Sequence, residues 1–221
     1  MVEPQIVVLI SGQGRNLQAL IEAAAAGWLG ARIAAVISNR PDAAGLERAR
    51  SAGIPTQVVP HQDHAERAAF DAALAEAIET HQPQIVVLAG FMRVLGERFV
   101  GRFHGRLVNI HPSLLPKYPG LDTHRRALEA GETRHGATVH YVTSQLDGGP
   151  AIIQGELSTH AQDTPVVLAS RVMERIELRI YPQAVAWMAR GAIRLVDGQV
   201  QFHGRTLRKP LTLADLEPEF R

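Results

Sequence analysis

A chain of 221 residues with 46% hydrophobic content and a formal net charge of +1 has the size and composition of one large α/β domain with a real core, and not those of a disordered chain. Charge so near balance, with no run of five like charges, gives no footprint for nucleic acid or a membrane surface. Cysteine is absent, which excludes disulfides, thiolate catalysis and zinc–thiolate sites. No apolar run reaches the roughly 18 residues of a membrane span, and Glu3 and Pro4 stand where a leader would turn apolar, so a cytoplasmic protein is expected.

Residues 5–10 (Gln-Ile-Val-Val-Leu-Ile) form a continuous β-branched run suited to a parallel strand covered on both faces. Ser11-Gly12-Gln13-Gly14-Arg15-Asn16 follows, and Leu17, Leu20, Ile21 and Ala24 then recur at helical spacing. This strand, glycine turn and helix presents free N–H groups and a helix dipole to an anion, so Gly14, Arg15 and Asn16 are candidate phosphate ligands, with Arg15 able to add a charge-assisted contact. A dinucleotide fingerprint would set a third glycine near position 17 and an acidic residue at the end of the second strand. Leu17 and Asn39 or Arg40 stand there, and no Walker ending follows, so a nicotinamide cofactor is not expected.

A second strand is predicted over residues 32–38, a short helix over 43–52, a third strand over 56–59 and a helix over 63–80 with Ala69, Leu74, Ala77 and Ile78 on one face. Residues 84–89 repeat the composition of the first strand, and Leu107, Val108 and Ile110 read as a short buried strand that ends at Asn109 and His111. Strands alternate with helices from residue 5 to 110, the pattern of right-handed crossovers. Beyond it, Pro112 and Pro116 bracket Ser113-Leu114-Leu115 and make the segment to Gly120 a stiff loop. An imidazole beside a carboxamide at a strand end suits stabilising an oxyanion and moving a proton. Taken alone, such a pair more often caps a strand and satisfies backbone groups.

The second half changes character. Residues 135–142 alternate polar and apolar, and residues 144–150 form a turn in which Asp147 precedes Gly148 and Gly149, an arrangement that by itself reads as a turn former. Residues 151–157 resume as a strand, giving an antiparallel hairpin. Asp163 or Thr164 caps a long helix that opens on Pro165, runs to about Arg190 and bends at Pro182. Glu174 and Glu177 lie on it, each alone a solvated carboxylate paired with Arg171 or Arg175. Residues 193–202 read as a hairpin around Asp197-Gly198, and the charged tail from Arg205 as a loosely held end. The ten histidines show no metal-ligand spacing, so no metal is expected. The fold class is α/β: a doubly wound, mostly parallel, Rossmann-like sheet with an antiparallel edge hairpin and a long C-terminal helix.

Five segments in order carry a resemblance: Ile6 to Leu17, Val87-Leu88-Ala89-Gly90-Phe91-Met92-Arg93, Asn109-Ile110-His111-Pro112-Ser113-Leu114-Leu115-Pro116, His135-Gly136-Ala137-Thr138-Val139-His140, and Leu146-Asp147-Gly148-Gly149-Pro150. Together they resemble the phosphoribosylglycinamide formyltransferases, a folate-dependent family of purine synthesis, over residues 5 to about 190. The resemblance implies transfer of a formyl group from 10-formyltetrahydrofolate to the amine of glycinamide ribonucleotide without metal or nicotinamide. The substrate would meet Gly14, Arg15, Asn16 and Glu177. The co-substrate would meet Arg67, Met92, Arg93, Val94, Leu95, Asn109, His140 and Asp147, with residues 140–147 flanking the pterin. The catalytic trio would be Asn109, His111 and Asp147, and Leu115-Pro116 is expected cis. Residues 1–221 would form a single domain: 1–110 a nucleotide-phosphate half, 111–190 a folate-binding and catalytic half, and 191–221 a hairpin and tail. Partners would be these small molecules, with no nucleic acid or membrane; a homodimer stands as an assembly to test. Two departures from the family pattern are Arg15, where the family has Ser, and one extra residue between Arg171 and Tyr181-Pro182.

In that chemistry the substrate amine attacks the formyl carbon, and Asn109 with a protonated His111 stabilises the oxyanion, donors each worth on the order of 3 kcal/mol where measured elsewhere. Asp147, close to the imidazole, favours its cationic form and orders a water that relays the amine proton to N10. Formyltetrahydrofolate hydrolase and methionyl-tRNA formyltransferase share the Asn-x-His and Asp-Gly-Gly elements. The first would want a regulatory domain before residue 5, the second a further basic domain for its polyanion. A non-enzymatic nucleotide sensor would leave Asn109, His111 and Asp147 more than about 8 Å apart, too far to share a reacting atom.

Overall fold

The computed structural model describes residues 3–221. Its apolar runs form one seven-stranded sheet. β1 (Gln5–Ile10), β2 (Arg32–Ser38), β3 (Thr56–Val58), β4 (Ile85–Leu88) and β5 (Leu107–His111) are parallel; β6 (Arg134–Tyr141) and β7 (Ala151–Ser158) add an antiparallel hairpin, in the order β3-β2-β1-β4-β5-β6-β7. The predicted doubly wound sheet with an antiparallel hairpin is therefore present.

The two-residue period of a strand divides β1 between two cores. Ile6, Val8 and Ile10 face Leu17, Leu20 and Ile21 of α1 (Arg15–Ala25) and Ile180, Val185 and Trp187 of α7 (Leu178–Ala189). Val7 and Leu9 face Phe70, Leu74 and Ile78 of α3 (Arg67–Glu79) and Phe99 of α4 (Glu97–Arg102). Because both faces are covered, the central strands are apolar throughout instead of alternating. Two shorter helices are α2 (Gly45–Ser51) and α5 (Thr123–Glu129).

The long C-terminal helix is present, with an irregularity where none was expected. α6 (Pro165–Val172) is capped by Thr164, whose hydroxyl accepts from Val167 N–H, and it passes through a π-helical turn, Met173–Glu177, into α7. The Leu178 N–H reaches back five residues to the Met173 carbonyl. A π turn takes up one residue more than an α turn, and it lies in the stretch before Tyr181-Pro182 where one extra residue is expected. Pro182, the expected point of bending, lies inside α7. The helix predicted over 63–80 is shorter: a 3₁₀ turn, His61–Asp63, and extended residues His64 and Glu66 precede its start at Arg67. Likewise the short helix begins at Gly45 instead of residue 43.

The hairpin around Asp197-Gly198 forms as expected, from β8 (Ile193–Val196) and β9 (Gln199–Phe202), with both turn residues at positive φ. The tail beyond it, however, is not loosely held. β10 (Arg205–Thr206) joins β9, and Leu211 pairs along β7, donating to the Ile152 carbonyl at 2.9 Å and accepting from Gln154 N–H at 2.8 Å. Leu211, Leu216 and Phe220 are buried. Counting charges hid this, because the apolar residues are spaced singly among them. Glu217 is the clasp. Its carboxylate accepts from Trp187 Nε1 at 2.9 Å and from Arg190, and its N–H donates to Gln183 Oε1 at 2.7 Å, so three residues along one face of α7 grip one residue of the tail. Among the described residues no helix is long and apolar enough to cross a membrane.

Replacing Glu217 with Ala leaves the buried Trp187 N–H without an acceptor, a loss of about 1–3 kcal/mol. Thermal unfolding should show the midpoint lowered by roughly 3–10 °C in a chain of this size, and Glu217→Gln should lie between the two.

Candidate active site

β1 and β4 are neighbours, yet the helices that follow them lie on opposite faces of the sheet, so their carboxyl ends part to form a crevice. β5 borders it. Asn109 and His111 belong to this strand, His111 as its last residue and Asn109 inside it, two positions apart and so on the same face. Opposite Asn109 in the register stands His140 of β6.

Asp147 closes the group. The hairpin loop carries it in a left-handed conformation, φ +50°, and its side chain is only 9% exposed. One carboxylate oxygen, Oδ2, accepts from Gly120 N–H at 2.8 Å and lies 3.4 Å from His111 Nδ1; the other lies 3.8 Å from His140 Nε2. Gly149 makes the loop possible, since a Cβ there would stand 1.7 Å from the Tyr141 carbonyl oxygen. His111 Nε2 meets the Tyr118 carbonyl at 2.9 Å. Both ring nitrogens of His111 therefore face acceptors.

His140 differs. Burial lowers its pKa, against the backbone hydrogen bond to Tyr141 and the charge of Asp147, so the ring is neutral. Its Nδ1–H donates to the Tyr141 carbonyl at 2.9 Å, which leaves Nε2 to accept from Asn109 Nδ2 at 3.3 Å. This fixes the carboxamide's orientation and leaves Asn109 its second N–H. Of the three residues expected to act together, Asp147 faces His111 directly and Asn109 by way of His140.

The loop after β5 is braced from behind. Thr138 donates to the Ser113 carbonyl at 2.7 Å and accepts from Leu115 N–H and from Gln154, and Leu115-Pro116 is cis, as expected. Beneath it His135 Nε2 and His124 Nδ1 meet at 3.0 Å; burial pushes His124 down to about 4 and also lowers His135, so the pair is neutral.

On the other side of the crevice the glycine turn opens α1. Gly14 sits at φ +71°, and a Cβ on it would lie 2.8 Å from the Gly45 Cα, so side chains are excluded and the turn stays tight against α2. No side chain caps α1. Asn16 Nδ2 donates to Glu177 Oε2 at 2.7 Å, a bond that fixes which glutamate turns inward: Glu177 is 5% exposed, whereas Glu174 stays in solvent, 3.3 Å from Arg15. Neither carboxylate pairs with Arg171 or Arg175. Burial raises the Glu177 pKa, against the Asn16 hydrogen bond and the Arg15 charge. Asn16 Oδ1 is buried with no partner among the described residues.

The expected folate-side residues divide. Arg93, Val94 and Leu95 line one cavity with Asn109, His140, Leu146 and Asp147. Met92 is 68% exposed beside it, and Arg67, at the first position of α3, lines a neighbouring cavity with Asp71 and Gly96 instead. Sequence reasoning did not find Tyr118 and Gly120, which act through backbone atoms that carry no residue-type signal.

Comparison with known proteins bears on the family and the fold. The family model described as formyl transferase matches residues 4–185. The chain is 48% identical to phosphoribosylglycinamide formyltransferase of Escherichia coli (strain K12), over 91% of its own length and 95% of that protein. It superposes on the structure of the Coxiella burnetii phosphoribosylglycinamide formyltransferase with a TM-score of 0.91 at 51% identity, covering 96% and 99% of the two chains. A formyltetrahydrofolate deformylase from Pseudomonas putida KT2440 is more distant: TM-score 0.81 and 28% identity, over 91% of this chain and 70% of that one. By the extent of these matches, the chain belongs to the formyl transferase family.

Proposed function

We propose that the chain transfers a formyl group from 10-formyltetrahydrofolate to the terminal amine of glycinamide ribonucleotide, as a step of purine synthesis carried out by a single formyltransferase domain in the cytoplasm. The observation that carries this reading is the contact of His111 with Asp147 and of Asn109 with His140 at the end of β5.

The ribonucleotide's phosphate meets the uncapped start of α1 at Gly14, Arg15 and Asn16, where N–H groups and the helix dipole favour an anion. Arg15 is held by one exposed contact with Glu174 and is free to turn to the phosphate at little cost. The amine then lies near Glu177 and the unpartnered Asn16 Oδ1, both of which can accept its protons. The pterin enters the cavity of Arg93, Val94, Leu95 and Leu146.

The amine nitrogen attacks the formyl carbon and a C–N bond forms as the carbonyl oxygen becomes an oxyanion. Asn109 donates to it through the N–H that His140 leaves free. His111 donates through Nδ1, whose 3.4 Å separation from Asp147 is longer than a closed charge-assisted bond and leaves the proton available. The ammonium proton passes by way of Asp147 and water to N10, the C–N10 bond breaks, and tetrahydrofolate leaves. Proton transfers of this kind contribute roughly 10²–10⁴ in rate.

His111→Ala and Asp147→Asn should each lower kcat by about 10²–10⁴ with little change in KM or in the unfolding midpoint. A transformylation assay run beside a control without amine checks this. Formate release that does not need the amine would favour the deformylase-like reading that the Pseudomonas putida relative suggests.

The Glu177 carboxyl yields a second expectation. Its pKa is raised in the folded chain, so it binds its proton more tightly folded than unfolded. That stability is fully present below the ordinary glutamate value of 4.5 and is lost as pH rises through the folded value. Glu177→Gln should therefore raise the unfolding midpoint at pH 7 to 8, by an amount that shrinks toward zero below about pH 4. The same variant should raise the KM for glycinamide ribonucleotide.

A further inference from the structure

The ends of β1, β2 and β4 are joined by one buried hydroxyl that the mechanism does not use. Met92 N–H donates to Ser11 Oγ at 2.7 Å, and Ser11 Oγ donates in turn to Asn39 Oδ1 at 2.6 Å. An amide N–H only donates and a carboxamide oxygen only accepts, so the direction of both bonds is fixed. His61 Nδ1 lies 3.2 Å from Asn39 Nδ2 and 3.0 Å from the Asn39 backbone carbonyl. Ser11 and Asn39 are 5% and 2% exposed, so neither is a surface contact that solvent could replace. The Ser11 backbone N–H adds a bond to the Gly90 carbonyl at 3.2 Å.

Three features bear on how the segment that leaves β4 is held. Gly90 is at φ +75° with no atom near the place of a Cβ, and Phe91 after it is buried in the core with Phe70 and Phe99. The Met92 side chain projects into solvent and anchors nothing. Met92, Arg93, Val94 and Leu95 lie outside any helix or strand, so no ladder fixes them. Past the buried Phe91, the backbone that carries the folate-side cavity is met, as it begins, by the bond to Ser11.

We propose that Ser11 is a positioning residue, whose hydroxyl sets the Met92–Leu95 backbone against β1 and so places the formyl donor at the distance the amine requires. This rests on the formyl-transfer reading above. A displacement of even about 1 Å in such a placement can cost up to about a hundredfold in rate.

The test is Ser11→Ala beside Ser11→Thr, which keeps the oxygen, with each substrate varied separately and the fold checked by circular dichroism. In the Ala variant kcat/KM for 10-formyltetrahydrofolate should fall about tenfold or more, while KM for glycinamide ribonucleotide stays within about threefold; Thr should restore most of the loss. Hydrogen exchange at the Met92 amide should quicken about tenfold or more in the Ala variant and not in the Thr variant, a readout independent of catalysis. A folded Ala variant with parental kcat/KM overturns the proposal. So does unchanged Met92 exchange, or an equal loss toward both substrates that Thr does not repair. If the Ala variant does not fold, Ser11→Cys, whose sulfur is a weaker acceptor, should show the same pattern at smaller amplitude, and its absence would overturn the proposal equally. A parent protein that transfers no formyl group overturns the functional reading instead, and the Met92 exchange then decides the bridge by itself.

Discussion

Asp147 is the joint on which the site depends. Its carboxylate, almost fully buried, holds the Gly120 N–H and faces two imidazoles from two different strands. A charge so placed is costly unless it is compensated on several sides. The compensation is what draws the hairpin loop, the loop after β5 and the strand end together. Tyr118 and Asp147 both adopt left-handed backbone conformations to meet His111, a departure that costs each on the order of 1 kcal/mol and that recurs at functional sites. The rest of the sheet supplies the stiffness against which that strain is held.

The two histidines show how position divides one side-chain type into two roles. His140 is buried and bonded to a backbone carbonyl, so it stays neutral and serves to orient Asn109. His111 lies between an acceptor carbonyl and a carboxylate, one facing each ring nitrogen. Neither role follows from the residue's identity; both follow from which atoms face the ring. Glu177 is a third case, a carboxyl held inward by Asn16 while its neighbour Glu174 remains in water.

Much of this was legible in the sequence. Continuous runs such as residues 5–10 and 84–89 announce buried parallel strands, and the spacing of Asn109 and His111 puts both on one side of a strand without further knowledge. Asp147 could be joined to them only through the resemblance, because nothing local says where a hairpin loop will fold. Tyr118 and Gly120 contribute backbone atoms and leave no trace in residue type. Ser11 and Asn39 are far apart in sequence and ordinary in composition. The π turn was present only as one residue too many, and the tail was misread because its apolar residues are isolated among charges.

The tail has a consequence beyond its own packing. β7 is the last strand on its side of the sheet, and without Leu211 beside it a row of unpaired backbone donors and acceptors would face the solvent. Such an open border invites strand addition from other chains. The opposite border, β3, is only three residues long and offers little to add to. One side is thus kept safe by brevity and the other by a segment that returns from the far end of the chain, so that solubility at high concentration depends on residues well removed from the chemistry.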